Sequence, residues 1–162
     1  DPKYQNLLNV KYESNFALGL FYDKFLDIKS TTKYLPDCDI IDSFYIENKN
    51  DYSTVTIHTK DRWTKENINL DKDKVISILK NKVNEYVPNL NNKNHQDYIF
   101  KKWKYSKVKE NTEVDKKNKA IIVGDNELPI IIAGDGICGN GYENCVASAM
   151  NSYKLLNQFI LK

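Results

Sequence analysis

No stretch of this sequence approaches the ~20 consecutive apolar residues of a membrane-spanning helix, and the opening Asp1-Pro2-Lys3-Tyr4 contains no hydrophobic signal region. No membrane partner is therefore expected. An initiator Met is also missing, which reads as the start of a piece cut from a longer chain. Histidine is scarce: His58 and His95 are the only two, and neither stands at ligand spacing from a cysteine or carboxylate, so no metal site is expected. Cys38, Cys138 and Cys145 are an odd number without CxxC spacing, in a chain too long to need a disulfide framework. A reducing compartment, the cytoplasm, is the simpler inference.

Charge of one sign is missing too. Charged residues make up 28% of the chain but leave a net +2, too little to define a nucleic-acid or membrane partner. The run Lys101 to Lys109 mixes cations with Trp103 and Tyr105, as a single-stranded nucleic-acid platform does. A strand with a lysine-covered edge accounts for it equally well, and acidic residues elsewhere cancel the charge, so no nucleic-acid partner is expected.

What is present can bury one core: 162 residues with 41% hydrophobic content. Asp1 to Tyr12 reads as a short helix with Leu7, Leu8 and Tyr4 inward. Asn15 to Tyr22 is apolar at both parities, which predicts a strand covered on two faces, with Gly19 marking a bulge or a close backbone approach. Lys24 to Asp39 is irregular. Ile41 to Ile46, the turn formers Glu47 to Asp51, and the β-branched Ser53 to Thr59 predict an antiparallel hairpin with His58 on its more polar face.

Asp71 to Val87 carries Val75, Ile78, Leu79, Val83 and Tyr86 at helical spacing, with Asn69 or Asp71 as cap and Pro88 beyond its end. After the Asn-rich Pro88 to Gln96, Tyr98 to Val108 has the aromatic content of a strand. Lys109 to Lys119 is polar loop. Ala120 to Val123 and Pro129 to Ala133 read as buried strands around the turn Gly124 to Leu128. Tyr142 to Ile160 then shows Tyr142, Val146, Ala149, Tyr153, Leu156 and Ile160 on one helical stripe. The fold class is α+β: a mainly antiparallel sheet with a packed helix, followed by a C-terminal hairpin and a long helix.

Four of the six glycines, Gly134, Gly136, Gly139 and Gly141, cluster between the last strand and the last helix. A buried strand running through glycines into a helix N-terminus collects unpaired N–H groups and partial positive charge at one spot. Glycine removes the Cβ atoms that would hold a flat ligand off the backbone, and Asp135 offers a carboxylate for ligand hydroxyls. The pattern alone leaves two readings open: a ligand loop, or a tight strand-to-helix turn.

Ile131-Ile132-Ala133-Gly134-Asp135-Gly136, followed by Asn140-Gly141-Tyr142-Glu143-Asn144-Cys145-Val146-Ala147-Ser148-Ala149, resembles the terminal flavin motif of the renalase-like and amine-oxidase-like FAD-dependent oxidoreductases. Segments Asn15 to Tyr22, Ile46 to Lys49, Ile57 to Thr59 and Lys102 to Ser106 resemble the renalase-like group in the same order, so the likeness covers nearly the whole chain. It implies that residues 1–119 are a substrate-side sheet-and-helix domain and that 120–162 belong to an FAD-binding domain. It further implies FAD contacts at Gly134, Asp135 and Gly136 and at the backbone N–H groups of Asn144, Cys145 and Val146. Trp103, His58 and Tyr34 become candidates for the substrate cavity. For Trp103 a core position, and for His58 a structural hydrogen bond, are the competing readings. The family pattern departs at Asn144 and Cys145, where Gly-Ala is common.

No GxGxxG loop follows the first strand, so a chain of this family would need an N-terminal FAD-binding segment as its partner. The implied reaction is oxidation of a small reduced substrate, a nicotinamide dinucleotide isomer ahead of an amine, with oxygen as acceptor. The chemistry would be flavin-borne, without catalytic side chains of the chain itself. The competing class is a non-catalytic binding or interaction module that has lost FAD.

Overall fold

The structure is a computed structural model that describes residues 2–23, 26–90, 93–110, 119–123 and 129–160. A 3-10 helix, Pro2–Asn9, leads into strand β1, Lys11–Tyr22. Then follow β2 (Thr31–Tyr34), β3 (Ile41–Asn48), β4 (Ser53–Thr59), helices α1 (Asp61–Glu66) and α2 (Lys72–Tyr86), and β5 (Asp97–Glu110). The chain ends with β6 (Ala120–Val123), β7 (Ile130–Ala133), a single helical turn α3 (Asp135–Cys138), and α4 (Tyr142–Ile160). The α+β class holds: a five-stranded antiparallel sheet, a two-stranded hairpin and a long C-terminal helix. The turn expected over 124–128, and residues 111–118 of the polar stretch, lie outside the described residues. No helix among the described residues is long and apolar enough to cross a membrane.

Two compact units emerge, 14–104 and 1–13 with 105–162. The cut falls within β5 and near the start of β1, where the sequence places a boundary at 119/120. Unit 14–104 holds the large sheet in the order β2-β3-β4-β1-β5. Its core is set by parity. Even residues of β1, from Ser14 to Tyr22, are buried, and they meet Phe44 and Ile46 of β3 and Val55 and Ile57 of β4. From α2 come Val75, Ile76, Leu79 and Val83; Ile76 is the inward residue, with Ile78 only half-buried. Asp71 caps α2, its carboxylate accepting from the N–H groups of Asp73 (2.9 Å) and Lys74 (3.2 Å). Full burial of a side chain such as Leu79 contributes roughly 1.5–3 kcal/mol.

Several expectations need correction. β1 is buried on one face only: Ala17, Gly19 and Phe21 are half-buried. Both parities are apolar, but α1 and α2 pack on one side, as Phe16 against Trp63 shows (ring centroids 5.9 Å). Gly19 makes no bulge, since the β1–β4 register runs unbroken from Ala17↔His58 to Tyr22↔Ser53. Its added Cβ would meet only ordinary contacts at 3.8 and 3.9 Å. The register shift lies in β3, between Ile41 and Ser43. The irregular stretch contains β2, a short edge strand paired Thr31↔Ile46 to Tyr34↔Ser43. α1 also went unforeseen, because six residues are too few to show a period.

In the other unit β6 pairs with β7 from Ala120↔Ala133 to Val123↔Ile130, and α3 and α4 pack on this hairpin. Ala120, Ile121 and Ile137 are buried, but β7 is not the buried strand its isoleucines suggest, and Ile130 is 59% exposed. A two-stranded sheet covered on one side leaves its other side outward. The α4 stripe also points outward: Tyr142 is 82%, Val146 38%, Tyr153 67% and Leu156 42% exposed, and Met150 beside it is exposed too. The Ile160 side chain, like that of Tyr4, lies outside the described residues. Leu8 is exposed rather than inward.

Candidate functional site

The three cavity candidates of the sequence share one face of the large sheet. Pairing Ser43↔His58, Tyr45↔Thr56 and Ala17↔His58 sets odd β1 and β3 residues and even β4 residues on the side opposite α2. Thr32↔Tyr45 puts the same parity of β2, hence Tyr34, there too. On β5, Phe100 stacks on core residue Phe16 (5.5 Å), so Trp103, of opposite parity, faces away from the core. Trp103 is 51% exposed, which excludes the core reading.

A row of interactions crosses the strands on this face. Tyr34 hydrogen-bonds Tyr45, and this bond, ahead of Tyr45's charge, raises the Tyr34 phenol above its ordinary pKa. The Tyr45 ring stands edge-on to His58 (5.7 Å, 86°), and His58 Nδ1 is 3.1 Å from Asn15 Oδ1. Asn15 Nδ2 donates to the Thr59 carbonyl (2.7 Å), so Oδ1 faces the ring and Nδ1 is the donor. Neutral His58 therefore carries its acceptor lone pair at Nε2. Ser14 Oγ donates to the Lys104 carbonyl (2.9 Å), which brings the adjoining Trp103 position alongside Asn15 on the neighbouring strand. Aromatic faces with a fixed imidazole and phenols suit a flat, partly polar ligand. Tyr45 and Asn15 were missed in the sequence; strand parity relative to His58 was the signal that could have found them.

The glycine turn lies in the other unit. Gly134 has φ 123°, a conformation that favours glycine, and a Cβ placed there meets nothing within 4 Å among the described residues. Gly136 differs: its Cβ would sit 3.0 Å from Tyr12 Oη and 3.3 Å from Val10 Cγ1. Its bare Cα therefore accommodates the chain's own side chains, and the open approach is at Gly134. Asp135 Oδ1 accepts from the Gly136 N–H (2.8 Å) and the Tyr12 hydroxyl (3.3 Å). Burial, then the charge and hydrogen bond of Asp135, raise the Tyr12 phenol. Gly134-Asp135-Gly136-Ile137-Cys138-Gly139 also has the glycine spacing of a dinucleotide loop, but it follows an antiparallel hairpin rather than opening a βαβ unit.

At the start of α4 the Cys145 N–H donates to the Gly141 carbonyl (3.1 Å), and Val146 lies one residue deeper in the helix. The amides without a helical partner are those up to Asn144. Of the three N–H groups expected at the ligand edge, only that of Asn144 is uncommitted to the helix. Asn144 is fixed through its side chain, accepting from Lys119 Nζ (2.7 Å) and donating to the Asn140 carbonyl (2.8 Å). Ser148, fully buried, accepts from the Gly134 N–H (3.1 Å) and donates to the Lys119 carbonyl, joining α4 to the turn. It gave no signal beyond its place among small residues. Among the described residues no cluster of His, Cys, Asp or Glu could hold a metal.

No model of a known protein family matches the chain, and no curated protein matches it.

Proposed function

We propose that the chain is the C-terminal portion of a renalase-like FAD-dependent oxidoreductase. In this reading a small reduced substrate, a nicotinamide dinucleotide isomer ahead of an amine, loses a hydride and a proton, and oxygen is reduced to hydrogen peroxide. FAD supplies the hydride chemistry; the chain's residues bind and orient. The observation that carries the reading is that Tyr34, His58 and Trp103, on β2, β4 and β5, face the same side of the sheet, with Tyr45 and Asn15 on the strands between them. They would hold a planar substrate by stacking and by hydrogen bonds from the phenols and imidazole.

Gly134 and the Asn144 amide would take the cofactor, the first because a Cβ placed there meets no described residue within 4 Å, the second because it precedes the first helical amide bond of α4, that of Cys145. The partner is an N-terminal FAD-binding segment. The outward apolar stripe of α4, Tyr142 to Leu156, supports a covering partner, since large exposed apolar patches mark interaction surfaces. The proposed compartment is the cytoplasm, where the three free thiols stay reduced.

Oxygen consumption by the purified product of the complete gene, presented with reduced nicotinamide dinucleotide isomers, tests this reading. The expected result is peroxide formed in step with substrate loss, and a Trp103→Ala variant with raised KM. Bound FAD with no turnover of any such substrate, or of amines, contradicts the assigned reaction. One observation favours a second reading, a non-catalytic module without FAD: Tyr12 and Val10 already occupy the space at Gly136. A complete gene product that takes up no FAD would establish it.

A further inference from the structure

We propose that Cys138 and Cys145 form a peroxide-sensitive dithiol, a modification site beside the Gly134 turn that closes to an intramolecular disulfide. The chain between them reverses through Gly139 (φ 83°) and Gly141 (φ 109°), conformations open to glycine. Cys138 Sγ donates to the Gly134 carbonyl (3.0 Å), while the N–H of that same Gly134 donates to Ser148 Oγ (3.1 Å). Cys145, three residues before Ser148, is its neighbour on the α4 surface. Both thiols thus lie beside the Gly134–Ser148 hydrogen bond, on α3 and α4, which pack against each other. Cys38 is in the other unit, buried, with Sγ accepting from the Ile41 N–H (3.3 Å).

Exposure assigns the roles. Cys145 is exposed on the first turn of α4 and meets the oxidant; Cys138 is half-buried, and burial, ahead of its neighbours, raises its thiol pKa. The Cys145 thiolate attacks one oxygen of hydrogen peroxide, the O–O bond breaks, and hydroxide leaves to give a sulfenic acid. Cys138 sulfur then attacks Cys145 sulfur, the S–O bond breaks, and water leaves with the Cys138 proton. Two thiols have lost two electrons and two protons, and one peroxide has become two waters. The Cys138 sulfur can then no longer donate to Gly134, so oxidation loosens the turn while tying α3 to α4. The chemistry belongs to the thiols alone and does not depend on the flavin reading.

The purified protein is treated with equimolar hydrogen peroxide, blocked with N-ethylmaleimide, digested, and mapped by mass spectrometry. A peptide linked between positions 138 and 145 is expected, at a yield unaffected by dilution and reversed by dithiothreitol. Cys145→Ser should abolish it and leave Cys138 alkylated; Cys138→Ser should leave Cys145 as a sulfenic acid that dimedone traps. A map of the unsubstituted protein showing Cys145 overoxidised without a link, joined to another chain, or both thiols still alkylated overturns the proposal.

Discussion

Replacing Gly136 by alanine probes the packing of the glycine turn directly. The new methyl would lie 3.0 Å from Tyr12 Oη and 3.3 Å from Val10 Cγ1, closer than ordinary contact. The hydroxyl must retreat by a few tenths of an ångström. Its bond to Asp135 Oδ1 is already 3.3 Å long, so the retreat breaks it. The loss is about 1 kcal/mol for a partly solvated bond to a carboxylate, and crowding of Val10 adds about 1 kcal/mol. Alanine's helical advantage returns roughly 0.5–1 kcal/mol, leaving a net cost of about 1 kcal/mol. In a Tyr12→Phe background the hydroxyl is gone, so the same substitution costs about 1 kcal/mol less. Urea denaturation of the four proteins measures this coupling; additivity within ~0.3–0.5 kcal/mol refutes the packing argument. The phenol gives a second readout. With the folded Tyr12 pKa raised above the unfolded value of about 10, the stability it contributes is complete below that pH and fades as pH climbs through the folded pKa. Gly136→Ala should start the Tyr12 spectrophotometric titration at lower pH, and an unchanged titration contradicts the account.

Asp71→Ala removes the acceptor for two α2 amides and should cost about 1 kcal/mol in urea unfolding; Asp71→Asn should recover most of it. Thr59→Val strands the buried Phe16 N–H (2.8 Å) and removes one of the Thr64 hydroxyl's two partners (2.6 Å), its bond to the Lys60 carbonyl remaining, for an expected loss of about 1–3 kcal/mol, whereas Thr59→Ser should stay close to the parent. Met150→Lys with Tyr153→Lys lies on exposed positions and should shift this chain's stability by no more than about 0.5 kcal/mol per site. In the complete gene product the same pair should lower FAD retention; retention at the parent level would remove the covering segment from the account.

Strand parity made much of the large sheet readable. Ser53 to Thr59 emerged with its predicted bounds because β-branched alternation and flanking turn residues agree, and Asp71 to Val87 because cap, period and Pro88 agree. β2 stayed hidden because its four residues are all exposed and gain order only from pairing with β3. The outward stripe of α4 was legible as a stripe but not as outward, since a helical period names a face and not what covers it. Among the candidate residues, residue types pointed to Asp135 in one unit and to His58 and Trp103 in the other. Tyr12, 123 residues from Asp135, could be joined to it only by tertiary structure.

The claim on which the functional account turns is that residues 130–160 contact FAD. The most direct measurement is the flavin content of the purified complete gene product, beside an Asp135→Ala variant checked for retained fold by circular dichroism. Stoichiometric FAD in the parent and a clear loss in the variant are expected. A colourless parent that takes up no FAD on reconstitution contradicts the account.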